Sequence, residues 1–213
     1  MEDVLDVYAQ SYDPKRPVVC LDETLKDLHD TPHGTIAAKP GKPLREDYVY
    51  ERKGVAHLFL AVEPLAGKRR VWVKEQHTQL ELADVLKALV LEDYPEADKI
   101  VLVTDNLATH TLAALYKAFE PELAHLIARK LEWHYTPEHA SWLNMAEIDL
   151  SALARQCLNR RLPSNAIVDR EVQAWSLNRN TQEVRINWHF RTPDARIKLR
   201  RLYPEIKPRN LIS

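Results

Sequence analysis

The sequence predicts a mixed α/β layer fold, on three observations. Short apolar runs bounded by turn residues alternate with segments whose apolar residues recur at helical spacing. Three strand-like runs come early, and the later ones are separated by helical segments, the order of an α/β layer. Two of the runs, Val18-Val19-Cys20-Leu21 and Ile100-Val101-Leu102-Val103-Thr104, lead straight into an aspartate, Asp22 and Asp105.

In chain order, residues 1–16 read as a short helical lead-in closed by Pro14 and Pro17. A first strand is expected at 17–22. The polar stretch 24–47 holds Pro32, Gly34, Pro40, Gly41 and Pro43 and reads as a long loop. Strands are expected at 48–53, 55–62 and 69–74, with Gly54 and Gly67 in the turns. Leu82, Ala83, Leu86, Leu89 and Val90 predict a helix over 78–92, closed by Pro95. Strand 99–105 follows, then a helix from about residue 111 carrying Leu112, Leu115, Tyr116 and Phe119, and a short strand at 131–135. Helices are expected at 144–161, 165–181 and 193–202. The first strand and strand 99–105 can then lie parallel and adjacent, which would bring Asp22 and Asp105 together where open α/β sheets bind ligands.

Composition narrows the class. Of 213 residues, 45% are hydrophobic and 29% charged, proportions of an ordinary globular chain. No apolar run reaches the roughly 20 residues that span a bilayer, and the acidic N-terminus lacks the basic start of a signal peptide, so a cytoplasmic protein without membrane contact is expected. Cys20 and Cys157 lie in apolar segments and read as reduced core residues. Only Gly34, Gly41, Gly54 and Gly67 occur, with no dinucleotide fingerprint or P-loop, and neither H-E-x-x-H nor G-x-S-x-G is present.

The net charge of −1 does not mark the whole chain as a polyanion binder. From Arg191 to Arg209, however, seven basic residues face two acids, and Arg155, Arg160 and Arg161 stand just before them. Arg155, Arg160, Arg161, Lys198, Arg200 and Arg201 are the candidates for phosphate-backbone contacts. A solvated helix surface accounts for the same charge.

Buried carboxylates are costly unless paired or metal-bound. Asp22, Asp105 and Glu147 are therefore the candidate oxygen donors for Mg²⁺ or Mn²⁺, the equipment of metal-dependent phosphodiester chemistry. Each also has an ordinary structural reading. Asp22 and the pair Asp105-Asn106 suit turns, and Asn144 with Glu147 fits a capping box. On the last of these helices Glu147 shares a face with Leu150 and Ala154 and is expected to point inward. Asp149, on the face of Ala152, Gln156 and Arg160, is expected to be solvated.

The segments Cys20-Leu21-Asp22-Glu23-Thr24, Thr104-Asp105-Asn106-Leu107-Ala108-Thr109-His110-Thr111 and His134-Tyr135-Thr136-Pro137-Glu138-His139-Ala140-Ser141-Trp142-Leu143-Asn144-Met145-Ala146-Glu147 resemble IS630-family transposases, bacterial relatives of the Tc1/mariner elements. The stretch Phe59-Leu60-Ala61-Val62-Glu63-Pro64-Leu65-Ala66-Gly67 and the later Thr192-Pro193-Asp194-Ala195-Arg196 extend the resemblance over roughly residues 17–204. It implies an RNase H-like, retroviral-integrase-like mixed sheet flanked by helices, with Asp22, Asp105 and Glu147 as a D-D-E triad that holds two divalent ions when DNA is bound.

The activity implied is hydrolysis at transposon ends followed by strand transfer into target DNA, characteristically at TA. Asn106 and His110 match the block beside the second acid, where His110 either contacts phosphate or orients Asp105, or else caps or packs. Ser141, Trp142 and Asn144 are expected to set the entry of the catalytic helix. Ala108 and Ala140 depart from the family's usual polar residue and glycine.

The division expected is a lead-in over 1–16, a catalytic domain over 17–162 and a basic helical extension over 163–213 on the same domain. Residues 1–16 are too short for the helix-turn-helix modules of the family, so a catalytic domain alone is expected: the second product of a split reading frame, whose modules another polypeptide supplies, a decayed copy, or a deliberate fragment. A homodimer fits paired-end synapsis. The competing readings are a catalytically silent DNA-binding or assembly remnant, and a stand-alone RNase H-like nuclease.

Overall fold

The structure, a computed structural model, describes residues 1–32, 34–43, 45–46, 48–105 and 112–203. Five strands form one mixed sheet: β1 (Val18–Asp30), β4 (Glu51–Glu63), β5 (Lys68–Lys74), β6 (Ile100–Thr104) and β7 (Leu131–Tyr135), in the spatial order β5-β4-β1-β6-β7. β1 runs antiparallel to β4 and parallel to β6, and β6 runs parallel to β7. Two short strands, β2 (Thr35–Ile36) and β3 (Arg45–Glu46), pair with each other in the connection between β1 and β4.

Side chains alternate across a strand, and the two faces of the sheet bury two separate cores. Cys20, Leu58, Leu60, Val101 and Val103 face α1 (Glu2–Tyr8), α5 (Ala146–Leu153) and α6 (Asn165–Thr181). Val19, Leu21, Phe59, Ala61, Ile100 and Leu102 face α2 (Gln79–Ala88), α3 (Ala113–Ala118) and α4 (Pro121–Lys130). Both cysteines are free and buried, and burial pushes the Cys20 thiol up to about 12, so it is an inert core thiol. Among the described residues no helix is long and apolar enough to cross a membrane.

Several boundaries differ from expectation. β1 does not stop at Asp22 but continues to Asp30, because β4 supplies an antiparallel partner from Cys20 to Asp30. What ends near Asp22 is the parallel pairing with β6, whose last partners are Cys20 and Val103. The expected break at Gly54 is absent: β4 runs through it, with the glycine at φ +111°. Gly67 does sit in the β4–β5 turn, at φ +70°, where an added Cβ would come within 2.7 Å of the Glu183 backbone.

Helix α2 starts at the Thr78–Glu81 capping box and passes at Leu89–Asp93 into a π-helical turn. The expected helix after residue 111 is two helices, the second opening with Pro121. Helix α5 likewise passes into a π-helical turn at Ala154–Leu158. The final α7 (Thr192–Lys198) is shorter than expected and is followed by a single 3₁₀ turn at Arg200–Leu202.

Candidate active site

Strand parity decides where the two aspartates point. Asp22 falls in phase with Cys20, and Asp105, one residue beyond β6, in phase with Val101 and Val103. Both therefore belong to the face covered by α5. Cys20 pairs with Val103, so two residues further along each strand stand Asp22 and Asp105. The two carboxylates share a cavity of about 290 Å³ with Glu23, Thr24, Leu25 and His77.

Asp22 is 8% exposed, and hydrogen bonds hold both of its oxygens. The Glu23 amide donates to Oδ1 at 2.8 Å, and the Asn144 side-chain amide donates to Oδ2 at 3.2 Å. Asn144 is fully buried. Its Nδ2 also donates to the Leu21 carbonyl at 2.8 Å, while its Oδ1 accepts from the Ala146 backbone at 3.2 Å. One side chain thus ties the start of α5 to the end of the β1–β6 pairing. The Tyr8 hydroxyl braces the same junction by donating to the Leu143 carbonyl at 2.8 Å.

Glu147 and Asp149 exchange the environments expected of them. The buried face of α5 consists of Ala146, Asp149, Leu150, Ala152 and Leu153, and Glu147 is exposed. The reason is distant in sequence. Arg69, on β5, donates from Nε to Asp149 Oδ2 at 2.7 Å, and Arg179, on α6, donates to Oδ1 at 2.9 Å. With two guanidiniums waiting on that face, Asp149 can be fully buried, and the helix turns Glu147 outward. Glu147 stays three residues from Asn144, whose backbone carbonyl accepts from its amide at 3.1 Å.

The cavity joins Asp22 and Asp105, and Glu147 is not in its lining. Among the described residues no three His, Cys, Asp or Glu side chains are grouped closely enough to hold a metal ion between them. Asn106 and His110 lie outside the described residues. Two aspartates on one open cavity nevertheless offer the hard oxygen donors that Mg²⁺ and Mn²⁺ take. Mg²⁺ commonly binds through one or two protein carboxylates, with water and substrate phosphate completing its shell. By donor chemistry the residues fit such an ion.

The basic candidates divide between two regions. Arg155 is exposed and donates to Ser151 Oγ at 2.9 Å, Arg160 pairs with Glu171, and Arg161 lies over the Tyr50 ring at 5.7 Å. Lys198 lies 5.8 Å from the Phe190 ring centroid, and Arg200 and Arg201 form the exposed turn that follows α7. Lys207 and Arg209 lie outside the described residues.

Sequence reasoning passed over His77. It directly precedes the Thr78 cap of α2, and its ring stacks on His57 of β4 with centroids 4.6 Å apart and planes 19° from parallel. The signal available was a histidine beside a capping box, which has no meaning until the fold sets it against the aspartates.

The model of the family described as DDE superfamily endonuclease matches residues 17–167. Among curated proteins none matches the chain. Of solved structures, the crystal structure of the Mos1 strand transfer complex aligns at 15% identity with a TM-score of 0.55, covering 85% of this chain and 54% of that one. This chain therefore spans about half the length of that relative. The catalytic domain of Mos1 mariner transposase aligns at 13% identity and TM-score 0.40, covering 85% and 86% of the two chains. The HTLV-2 integrase catalytic core, in complex with magnesium in a dimeric form, aligns at 15% identity and TM-score 0.40, covering 79% and 89%. At such identities the first of these likenesses is one of fold: the five-stranded mixed sheet flanked by helices is the RNase H-like layout expected from the sequence.

Proposed function

The chain belongs to the DDE superfamily endonucleases, and on that premise we propose that it is the catalytic domain of a transposase of the IS630 and Tc1/mariner kind. Its substrates are then transposon-end and target DNA, its reaction phosphodiester hydrolysis followed by strand transfer, with TA as the target. The observation that carries the reading is the pair of aspartates, one from each of two adjacent parallel strands, on a single open cavity.

In this reading Asp22, Asp105 and Glu147 hold Mg²⁺ or Mn²⁺, two ions once DNA is bound. Divalent ions supply Lewis-acid activation of the attacking oxygen and charge neutralisation at the leaving oxygen. The chain's own residues orient the donors. The Glu23 amide and the Asn144 side chain fix the plane of the Asp22 carboxylate. Glu147, exposed on the first turn of α5, is open to solvent and to an incoming duplex. Residues 17–162 carry the chemistry, and Arg155, Arg160, Arg161, Lys198, Arg200 and Arg201 contact the DNA backbone. A homodimer would hold two ends together.

Calorimetric titration with Mn²⁺, run beside nicking of supercoiled plasmid, tests this. The wild-type chain is expected to bind Mn²⁺ and nick, to stop nicking in EDTA, and to lose both properties on Asp105→Ala. Nicking that survives Asp105→Ala, or that is lost only when acids other than these three are replaced, would refute the assignment. Metal binding without cleavage of any DNA would favour the silent remnant, and indifference to transposon-end sequence a stand-alone nuclease.

A further inference from the structure

The described lining of the site cavity is lopsided in charge. Three of its six side chains are carboxylates (Asp22, Glu23 and Asp105), Thr24 adds a hydroxyl and Leu25 an aliphatic wall. A phosphodiester is an anion, and carboxylate side chains offer it no hydrogen-bond donor. Divalent cations would offset the charge of the carboxylates they bind. His77 is the one group of the described lining that can offer an N–H donor or a positive charge.

The placement of that imidazole is built. His77 is exposed, yet its ring lies nearly parallel on His57, which limits its freedom where it lines the cavity. His57 sits within β4, paired with Leu25 on one side and Lys74 on the other. Its Nδ1 is buried with no hydrogen-bond partner. Leaving a polar atom in that condition costs stability. An aliphatic or phenyl side chain would fill the same place without that loss. Burial, and then the neighbouring His77, hold the His57 pKa below the usual histidine value, against a smaller opposing pull from Glu81. The inner ring therefore serves the outer one as a flat platform.

Resting on the phosphodiester chemistry proposed above, we propose that His77 is a substrate-contacting residue of this site. Its imidazole N–H donates a hydrogen bond to a non-bridging oxygen of the phosphodiester seated beside Asp22 and Asp105, and His57 positions the ring by stacking. The contact is to phosphate, so it carries no base sequence.

The test compares wild type, His77→Ala, His77→Gln and Asp105→Ala in plasmid nicking, in Mn²⁺ calorimetry, and in binding of a short fluorescein-labelled duplex with Ca²⁺ in place of the catalytic ion. His77→Ala is expected to lower kcat/KM by about 10- to 100-fold, the range for losing a hydrogen bond to a charged group. Its Mn²⁺ affinity should be unchanged, and His77→Gln, which keeps an N–H donor, should recover part of the loss. His57→Ala should lower activity by a smaller factor and His57→Phe should restore it, since stacking is all that is asked of that ring.

If Asp105→Ala is inactive while His77→Ala nicks like wild type, the role of His77 is wrong and the endonuclease reading stands. A fall in Mn²⁺ affinity on His77→Ala makes the residue a ligand and also overturns the proposal. If wild type does not nick, or nicks as Asp105→Ala does, the endonuclease reading fails separately. Duplex binding then decides for His77: weaker binding by His77→Ala sustains the contact, and equal binding removes it.

Discussion

Replacing Asp149 with alanine should destabilise the protein more than any other single surface-distant carboxylate change, although the residue stands outside the cavity. Asp149 and Arg69 have fully buried side chains, and Arg179 is 15% exposed. Removing one member of a buried ion pair leaves an uncompensated charge and costs about 3–5 kcal/mol. Arg69 keeps other acceptors: the Gly67 carbonyl at 3.0 Å, the Asn180 side chain at 3.3 Å and the Val184 carbonyl. Arg179 can also turn toward water. Both facts place the expected loss near the lower end, about 3 kcal/mol, or a fall of about 6–12 °C in melting temperature for a chain of this length. Thermal and urea unfolding followed by circular dichroism measure it, with the urea slope unchanged if the native state is otherwise intact. The double change Asp149→Leu with Arg69→Met removes both buried charges and should recover part of the loss. A loss below about 1 kcal/mol for Asp149→Ala would be the behaviour of an exposed pair and would refute the argument.

Asn144→Ala should cost about 1–3 kcal/mol, since it strands the buried Leu21 carbonyl. It should also weaken Mn²⁺ binding by freeing the Asp22 carboxylate, so unfolding and calorimetry on one variant check both parts. Arg200→Ala with Arg201→Ala should lower the slope of log affinity against log salt by about 1.8, or 0.9 per phosphate contact, and an unchanged slope would remove these residues from the DNA interface. The Arg196 guanidinium, with help from Tyr203, holds the Glu2 carboxyl at about 2 against its ordinary 4.5. A depressed folded-state pKa contributes stability that is complete above about 4.5 and lost as pH falls toward about 2. Amide exchange in α1 should therefore quicken across that window, and Glu2→Gln should remove the dependence.

Much of the frame was legible in the chain. The runs before Asp22 and Asp105 are short, apolar and rich in β-branched residues, and they became the adjacent parallel strands β1 and β6. The long amphipathic segment at 165–181 became α6 within the same bounds. Other features were hidden because their causes are not local. β1 runs past Asp22 only because β4 continues beside it, and Gly54 stays in its strand because it still pairs with Leu28 of β1. The stacking of His57 on His77 joins residues of separate elements, and no period or motif marks it.

The α5 helix separates the two kinds of information most clearly. Its existence follows from local spacing and needs nothing but the sequence of that segment. Which of its two acids turns inward does not, because a carboxylate is buried only where a partner charge is already in place. The partners of Asp149 lie 80 and 30 positions away, on β5 and α6. The sequence by itself determined that two apolar strands lead into Asp22 and Asp105 and can bring them side by side. Only the tertiary structure decided that Asp149 is sealed between two arginines, that Asn144 locks α5 to β1, and that His77 joins the aspartates. An apolar run is set by immediate neighbours in the chain, whereas neutralising a buried charge depends on groups that folding alone brings within reach.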